Sequence, residues 1–243
     1  SPDPTTTLVE ARRGFKTNVV RRIQAGRVPS QPPPQLFNLV RYESPAGKLH
    51  AYMTPDPKDG KKRPAIVWIT GGDCNTIDQG CWREGADGND QSASAYRKAG
   101  IVMMFPSQRG GNDNPGTKEA FLGEVEDVVS AAAFLAKQPH VDPERIYLGG
   151  HSTGGTLALL VSEYTTRFRA VVSFGPVCDP RNYGPDQTPY SRKDLKEVRL
   201  RAPELWLHSI QSPTFVFEGS DQPGNQEQLR RMAQLNKNEK CRF

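Results

Sequence analysis

The chain has 243 residues, of which 35% are hydrophobic and 24% are charged, with 22 Gly and 21 Pro. These proportions are typical of a soluble globular protein with one large domain or two small ones, and they exclude global disorder and a fibrous repeat. Lys and Arg number 32 against 27 Asp and Glu, a net charge of +5. Because the two signs are interspersed, this excess does not indicate a nucleic-acid partner. No run approaches the roughly 18 apolar residues of a transmembrane segment.

The first 35 residues form an arm whose pattern differs from that of the remaining chain. Thr7 and Glu10 have the spacing of a capping box, which marks the start of a helix. Apolar residues then recur at helical intervals and predict a helix along the arm, namely Leu8, Phe15, Val19 and Ile23. Gln31 and the three prolines after it predict a stiff connector at the end of the arm.

Short apolar runs alternate with helix-like segments after the connector. Two runs, at 36–41 and 49–53, predict a β-hairpin around Ser44-Pro45-Ala46-Gly47. Further strands are predicted at 65–69, 101–105, 146–148, 170–174 and 214–217, and helices at 92–98, 121–135, 156–163 and 226–235. Because apolar strands that alternate with helices form parallel sheets covered on both faces, the predicted fold class is α/β.

Residues 179–211 interrupt this alternation. The segment is polar and rich in Arg and Pro, and a helix is predicted from about 192 to 207. We interpret it as a small helical insertion over the carboxyl edge of the sheet, where it would act as a partial lid. The insertion contains Arg181, Arg192, Arg199 and Arg201. We expect these arginines to face solvent or the anionic groups of a substrate.

The four cysteines, Cys74, Cys81, Cys178 and Cys241, do not form a disulfide scaffold or a zinc motif. Cys74 and Cys81 share a polar loop, where either a local bridge or two reduced thiols is compatible with the spacing. Cysteine usage therefore suits a cytoplasmic protein and an exported one equally. The first residues of the sequence do not form an apolar targeting segment, so we expect that a signal peptide has been removed or was never there. The residues imply neither a metal nor an organic cofactor.

The most informative motif is G-x-S-x-G, formed by Gly150, Ser152 and Gly154. A predicted strand enters it and a predicted helix leaves it, which is the context of a nucleophile elbow. Such a turn is too tight for side chains at its flanks, and it projects the serine hydroxyl above the sheet. The helix N-terminus beneath the serine favours developing negative charge. His151 is interpreted as a packing residue, because the elbow directs the neighbouring side chains elsewhere.

Acyl transfer also needs two N–H donors directed at the carbonyl oxygen of the substrate. One donor is predicted to be the backbone of Thr153, the residue after the nucleophile. The second is predicted in the loop after an earlier strand, at Gly72 or Asp73, where glycine lets the backbone approach a ligand. Arg109 lies in the next such loop, where it would bind a substrate carboxylate or brace the loop, and bracing is the favoured interpretation.

From Ala65 to Asp221 the chain resembles the catalytic domain of the prolyl oligopeptidase family of α/β-hydrolases. The resemblance rests on an ordered series of segments: Thr70-Gly71-Gly72, Arg109-Gly110-Gly111, Glu124-Val125-Glu126-Asp127-Val128, Val141-Asp142-Pro143-Glu144-Arg145-Ile146, Gly150-His151-Ser152-Thr153-Gly154-Gly155 and Pro213-Thr214-Phe215-Val216-Phe217-Glu218-Gly219. It implies an α/β-hydrolase domain over residues 36–243, preceded by the arm at 1–35. It also implies hydrolysis of an ester or amide through an acyl-serine. The arm is too short for the β-propeller of larger family members.

The triad of this fold follows the order serine, acid, histidine. Asp221 is the favoured acid because it lies beyond the last long predicted strand. Glu218 and Asp179 are the alternatives.

All four histidines, His50, His140, His151 and His208, precede the predicted acid. A serine hydroxyl is a poor nucleophile without a base within reach. Three hypotheses follow. The favoured one is a serine hydrolase whose histidine-bearing C-terminal segment lies outside the sequence. The second is an inactive α/β-hydrolase fold that acts as a binding or sensor module. The third makes His208 an unusual base.

The expected substrate is a small ester or a short acyl-peptide. The sequence leaves a homo-oligomer open.

Overall fold

The structure is a computed structural model that describes residues 5–243, apart from the side chain of Pro223. Its centre is an eight-stranded sheet in the order β1-β2-β4-β3-β5-β6-β7-β8. The β1–β2 and β2–β4 pairs are antiparallel and the rest are parallel. The strands are β1 Asn38–Ser44, β2 Gly47–Met53, β3 Arg63–Ile69, β4 Val102–Pro106, β5 Val141–His151, β6 Val171–Phe174, β7 Thr214–Phe217 and β8 Cys241–Arg242.

Helices cover the sheet and connect its parallel strands. They are α1 Leu8–Arg12, α2 Ser94–Lys98, α3 Gly123–Leu135, α4 Thr153–Tyr164, α5 Leu195–Arg199 and α6 Pro223–Leu235. On one face α1, α3 and α4 pack against residues such as Val67 and Leu148, and α6 lies beside α4 through Met232. On the other face α2 and the segment around Phe37 cover Trp68. The predicted α/β architecture is confirmed.

The predicted arm helix is wrong beyond its first turn. The Thr7–Glu10 capping box forms, but α1 ends at Arg12, and Gly14 follows with φ +70°. The rest of the arm runs extended across the surface, where the Ala25 N–H donates to the Gly110 carbonyl at 2.9 Å. The apolar spacing predicts a longer helix because the positions of apolar residues carry no information about the left-handed glycine that follows the turn.

The insertion is also less helical than predicted. It contains only α5 and separate single turns, among them Pro203–Leu205 and Leu207–Ser209. Pro203 lacks the N–H that a continuous helix would need at that position. The start of the insertion lies beside the candidate site, whereas its later part packs against the arm, where the Asn18 N–H donates to the Glu197 carboxylate at 2.7 Å.

Within residues 5–243, no helix combines the length and apolar character needed to cross a membrane. The same residues contain no group of three or more His, Cys, Asp or Glu side chains arranged to hold a metal ion.

Candidate active site

Ser152 lies between β5 and α4 in a backbone conformation that is unusual for a residue with a side chain. Its φ is +55° and its ψ is −117°. Its backbone N–H donates to the Phe174 carbonyl at 2.7 Å, which ties the turn to the end of β6. A non-glycine residue in this region is strained by about 1–3 kcal/mol, a cost typical of functional sites. The sharp turn follows directly from the sequence motif.

Glycines around Ser152 allow the backbone to pack at this turn. A Cβ atom at Gly150 would overlap the carbonyl of Gly154, and one at Gly154 would overlap the carbonyl of Ile69. At Gly155 the overlap would be with the carbonyl of Phe174. Each of these contacts is with backbone, which cannot move aside as a flexible side chain can. The glycines therefore permit the close approach of β3, β6 and α4 beneath the serine.

The loop after β3 lies against the first residue of α4. Gly72 has φ +71°, and its carbonyl accepts hydrogen bonds from the Thr153 hydroxyl at 2.8 Å and from the Cys74 N–H at 3.1 Å. Among the described residues, no acceptor is bonded to the backbone N–H of Gly72, Asp73 or Thr153. The predicted donors therefore lie on two adjacent segments, and their N–H groups have no acceptor among the described residues.

Side chains hold the Gly72 loop in place. The Asp73 carboxylate accepts from Lys118 Nζ at 2.6 Å and from the Thr76 hydroxyl at 2.6 Å. Asn75 donates to the Arg109 carbonyl at 2.9 Å and to the Glu124 carboxylate at 3.0 Å. This network connects the loop to the start of α3, so the position of the Gly72 backbone depends on buried polar contacts.

Arg109 is a bracing residue and not a substrate ligand. Its guanidinium donates to both carboxylate oxygens of Asp127 at 2.9 Å and to Glu119 at 2.9 Å. Burial disfavours its charge, but the bonds and charges of Asp127 and Glu119 outweigh burial and raise the pKa of Arg109. A substrate carboxylate would have to displace these partners.

A cavity of about 680 Å³ opens above Ser152. Phe174, Val177, Tyr183 and Asn225 contribute to its walls. The Tyr183 ring comes from the start of the insertion, and its hydroxyl is hydrogen-bonded to that of Thr156 at 2.7 Å. Nothing in the sequence singled out Tyr183 or Asn225. The volume lies in the range of small-molecule sites, about 300–1,000 Å³.

Two of the three candidate acids, Glu218 and Asp221, also line this cavity. Glu218 accepts hydrogen bonds from the Asn225 side chain and, at 2.7 Å, from the Gly219 N–H. Asp221 is exposed in the loop between β7 and α6. Asp179 is instead engaged in a two-point ion pair with Arg181 and does not line the cavity. The structure thus brings Ser152, Glu218 and Asp221 to one edge of the sheet.

No histidine among the described residues is hydrogen-bonded to the Ser152 hydroxyl. His208 precedes β7, at the amino edge of the sheet, and its Nε2 contacts the Thr6 carbonyl at 2.9 Å. Since Ser152 lies at the opposite, carboxyl edge, the hypothesis that His208 is the base is wrong. His140 also precedes a strand, and His50 is buried in β2.

His151 lines the cavity beside Ser152, but its ring is held by Gln91. The Gln91 side-chain amide lies 2.7 Å from His151 Nδ1. Burial lowers the pKa of His151, against the opposing charge of Glu218. The contact joins residues 60 positions apart, and the sequence pattern contains no signal for it.

All four cysteines are buried free thiols, so the local bridge between Cys74 and Cys81 does not form. Burial raises the pKa of both thiols, that of Cys81 to about 12. These cysteines are therefore protonated packing residues and not nucleophiles.

The mostly parallel sheet, with a strained serine between a central strand and the helix after it, defines an α/β-hydrolase fold. Residues 89–204 match the model of the prolyl oligopeptidase family.

Individual relatives match only part of this chain, and the chain covers only part of their length. The chain is 28% identical over 142 residues to the uncharacterized peptidase YtmA of Bacillus subtilis, covering 51% of this chain and 53% of that protein. It is 28% identical over 184 residues to S-formylglutathione hydrolase of Rattus norvegicus, covering 60% and 61%.

Solved structures show the same fold at lower sequence identity. A puromycin-hydrolyzing peptidase of Mycobacterium tuberculosis superposes with a TM-score of 0.66 at 20% identity, covering 86% of this chain and 36% of that one. Dipeptidyl peptidase 4 of Porphyromonas gingivalis superposes with a TM-score of 0.62 at 17% identity, covering 82% and 30%. The chain thus spans about a third of these solved proteins.

Proposed function

We propose that this chain is the catalytic part of a serine hydrolase that cleaves an ester or amide bond of a small acyl or short peptide substrate. The observation that carries the proposal is the strained Ser152 at the carboxyl edge of the sheet, beneath a cavity that two carboxylates line. The Ser152 Oγ attacks the substrate carbonyl carbon while a base accepts its proton. The leaving group departs with that proton, and water then hydrolyses the acyl-serine.

The proposed oxyanion site consists of the Thr153 N–H and the N–H of Gly72 or Asp73. Each of these N–H groups lacks an acceptor within the described part of the chain. Donors positioned before the reaction stabilise the negative charge that develops on the carbonyl oxygen, and one such donor typically contributes a factor of about 10²–10³ in kcat.

Asp221 is the proposed acid, with Glu218 as its rival on the same loop. Both carboxylates line the Ser152 cavity. If Asp221 orients the base, Asp221→Asn lowers kcat by several orders of magnitude, as acid substitutions do in other triads, and leaves KM nearly unchanged. Glu218→Gln is the matched variant, and a larger kcat loss there reassigns the acid.

We propose that the base is a histidine supplied from outside residues 1–243. The proposal is supported by the four histidines of this chain, none of which is bonded to Ser152 in its described part. It is tested by reading the coding sequence beyond Phe243. A histidine within about 40 residues fits the serine–acid–histidine order of the fold, and its absence overturns this form of the proposal.

The serine itself is tested with a fluorophosphonate probe on the full-length protein. We expect one covalent adduct, on Ser152, that is lost in Ser152→Ala and after heat denaturation. An adduct that survives in Ser152→Ala contradicts the assignment.

The second candidate function is an inactive hydrolase fold that binds a small acyl or peptide ligand. It is favoured by the Ser152 hydroxyl, which has no base among the described residues. A folded full-length protein that binds esters but forms no fluorophosphonate adduct supports this candidate over the first.

A further inference from the structure

A second cavity opens on the far side of His151 from the insertion. This side cavity has a volume of about 510 Å³ and lies between the ends of β3 and β6 and the segment 84–98. His151, Phe174 and Asn89 line both the side cavity and the Ser152 cavity. A substrate whose carbonyl lies at Ser152 can therefore extend one group into the side cavity.

Aromatic rings form the wall of the side cavity. Trp68 lies 5.5 Å from Tyr96 and 6.0 Å from Phe174, measured between ring centroids. Both pairs are tilted and not stacked, so the rings leave space between them. Such walls favour a flat apolar group, because an aromatic guest gains ring–ring contacts in addition to burial.

Hydrogen bonds fix the orientation of the His151 ring at the junction of the two cavities. The Gly71 N–H donates to Gln91 Oε1 at 2.7 Å, so the Gln91 NH₂ group faces His151. That NH₂ donates to His151 Nδ1 at 2.7 Å, which makes Nδ1 an acceptor. In neutral histidine the proton then resides on Nε2. Within the described residues Nε2 has no protein partner, so it can donate to a ligand.

The rim of the side cavity is acidic. Asp87 and Asp90 line it, and in the described structure neither forms an ion pair with a lysine or arginine. Glu84 also lines it, but Lys98 neutralises this carboxylate at 2.7 Å. A substrate carboxylate at this rim would face uncompensated negative charge.

We propose that the side cavity binds an uncharged aromatic side group of the substrate, and that His151 Nε2–H donates a hydrogen bond to an amide carbonyl oxygen next to that group. This inference rests on the proposed function, because it assigns the substrate class of the Ser152 site. It makes His151 a substrate-binding donor and not a general base. Gln91 is then a positioning residue for His151.

The test is a binding measurement that needs no catalysis. N-benzylacetamide is titrated into the Ser152→Ala protein by calorimetry, beside its cyclohexylmethyl analogue and its 4-carboxybenzyl analogue. We expect the benzyl compound to bind at least 5-fold more tightly than either analogue. Equal affinities for all three compounds overturn the proposal.

Two cavity variants locate the binding. Ala95 is exposed on α2 and lines the side cavity, so Ala95→Trp should block it and weaken benzyl binding at least 10-fold. Ala233→Trp, on the exposed side of α6, is the matched control and should leave binding unchanged. Undiminished binding in Ala95→Trp overturns the assignment.

The donor is tested at His151 itself. His151→Phe keeps an aromatic ring but removes the N–H, and binding should weaken about 3–10-fold, the usual effect of one lost hydrogen bond. Nitrogen-15 NMR of the His151 ring should show the Nε2-protonated form, which Gln91→Leu should disturb. An Nδ1-protonated ring in the parent protein contradicts the donor role. Fluorophosphonate labelling is a separate readout, so failure of benzyl binding with intact labelling overturns this inference alone.

Discussion

The backbone of Ser152 adopts the sharp turn of the motif, and this turn strains the residue. Its φ of +55° lies in a region that glycine occupies easily and serine does not. The strain persists because Gly150, Gly154 and Gly155 let the surrounding backbone close around the turn. A residue kept in a strained conformation next to unoccupied N–H donors is a signature of a functional site.

This strain predicts an unusual order of stability at position 152. Ser152→Gly should be more stable than Ser152→Ala by about 1 kcal/mol in urea denaturation, because glycine relieves the positive φ. Ser130, inside α3, is the control, and there the glycine variant should be about 1 kcal/mol less stable than the alanine variant. The same order at both positions would contradict strain at Ser152.

Gly154 gives a second prediction at this scale. Gly154→Ala places a Cβ against the carbonyls of Ile69 and Thr70. We therefore expect the free energy of unfolding to fall by about 1–3 kcal/mol and fluorophosphonate labelling to be lost. Gly224→Ala, which meets open space on α6, should leave labelling intact. Full labelling of Gly154→Ala would show that the tight turn is not needed to expose the serine.

At the scale of elements, buried polar contacts join the loops of the site to α3. Arg109 is the centre of this junction, since Asp127 is fully buried beneath it. Arg109→Met should cost about 3–5 kcal/mol in urea denaturation, because it leaves the Asp127 carboxylate buried without its partner. Arg145→Met, which breaks a half-exposed pair with Asp142, should cost less than about 1 kcal/mol. Similar losses in both variants would contradict the bracing role.

Asp90 controls the segment that borders the side cavity. Partial burial opposes its charge, but hydrogen bonds from Ser92, Gly85 and Ser94 lower its pKa to about 2 from 3.8. Because the folded-state pKa is the lower one, the stability that Asp90 contributes is present above about pH 4 and is lost as pH falls toward 2. Asp90→Asn should therefore be less stable at pH 7, and its deficit should shrink between pH 4 and 2. A pH-independent deficit in urea denaturation would contradict this.

The sequence predicts the central elements well, because each buried strand is a short apolar run and each long helix has a periodic stripe. It predicts the arm and the insertion poorly, since Gly14 follows the end of α1 and Pro203 starts a separate turn after α5, where the sequence pattern predicts continuous helices. The elbow is predictable because its chemistry lies within seven adjacent residues. The acid and the Gln91–His151 contact are not, because loop direction and contacts between distant segments depend on tertiary packing.

At the scale of the whole molecule, the candidate site lies at one edge of the sheet, where segments that are distant in sequence meet. The β3 loop, the β5–α4 elbow, the start of the insertion and the β7–α6 loop meet at the carboxyl ends of the strands. The arm also supports this edge, because Arg12 donates to the carbonyls of Leu200 and Phe121, and the Phe121 ring lies 5.7 Å from that of Tyr183. The central claim is that this edge carries out acyl transfer on Ser152.

Trapping the acyl-enzyme tests that claim most directly. The full-length protein is mixed with p-nitrophenyl acetate, quenched in acid within the first turnover and digested for mass spectrometry. We predict an acetyl group on the peptide that contains Ser152 and none in the Ser152→Ala protein. Ester hydrolysis that leaves Ser152 unmodified and persists in Ser152→Ala would contradict the account.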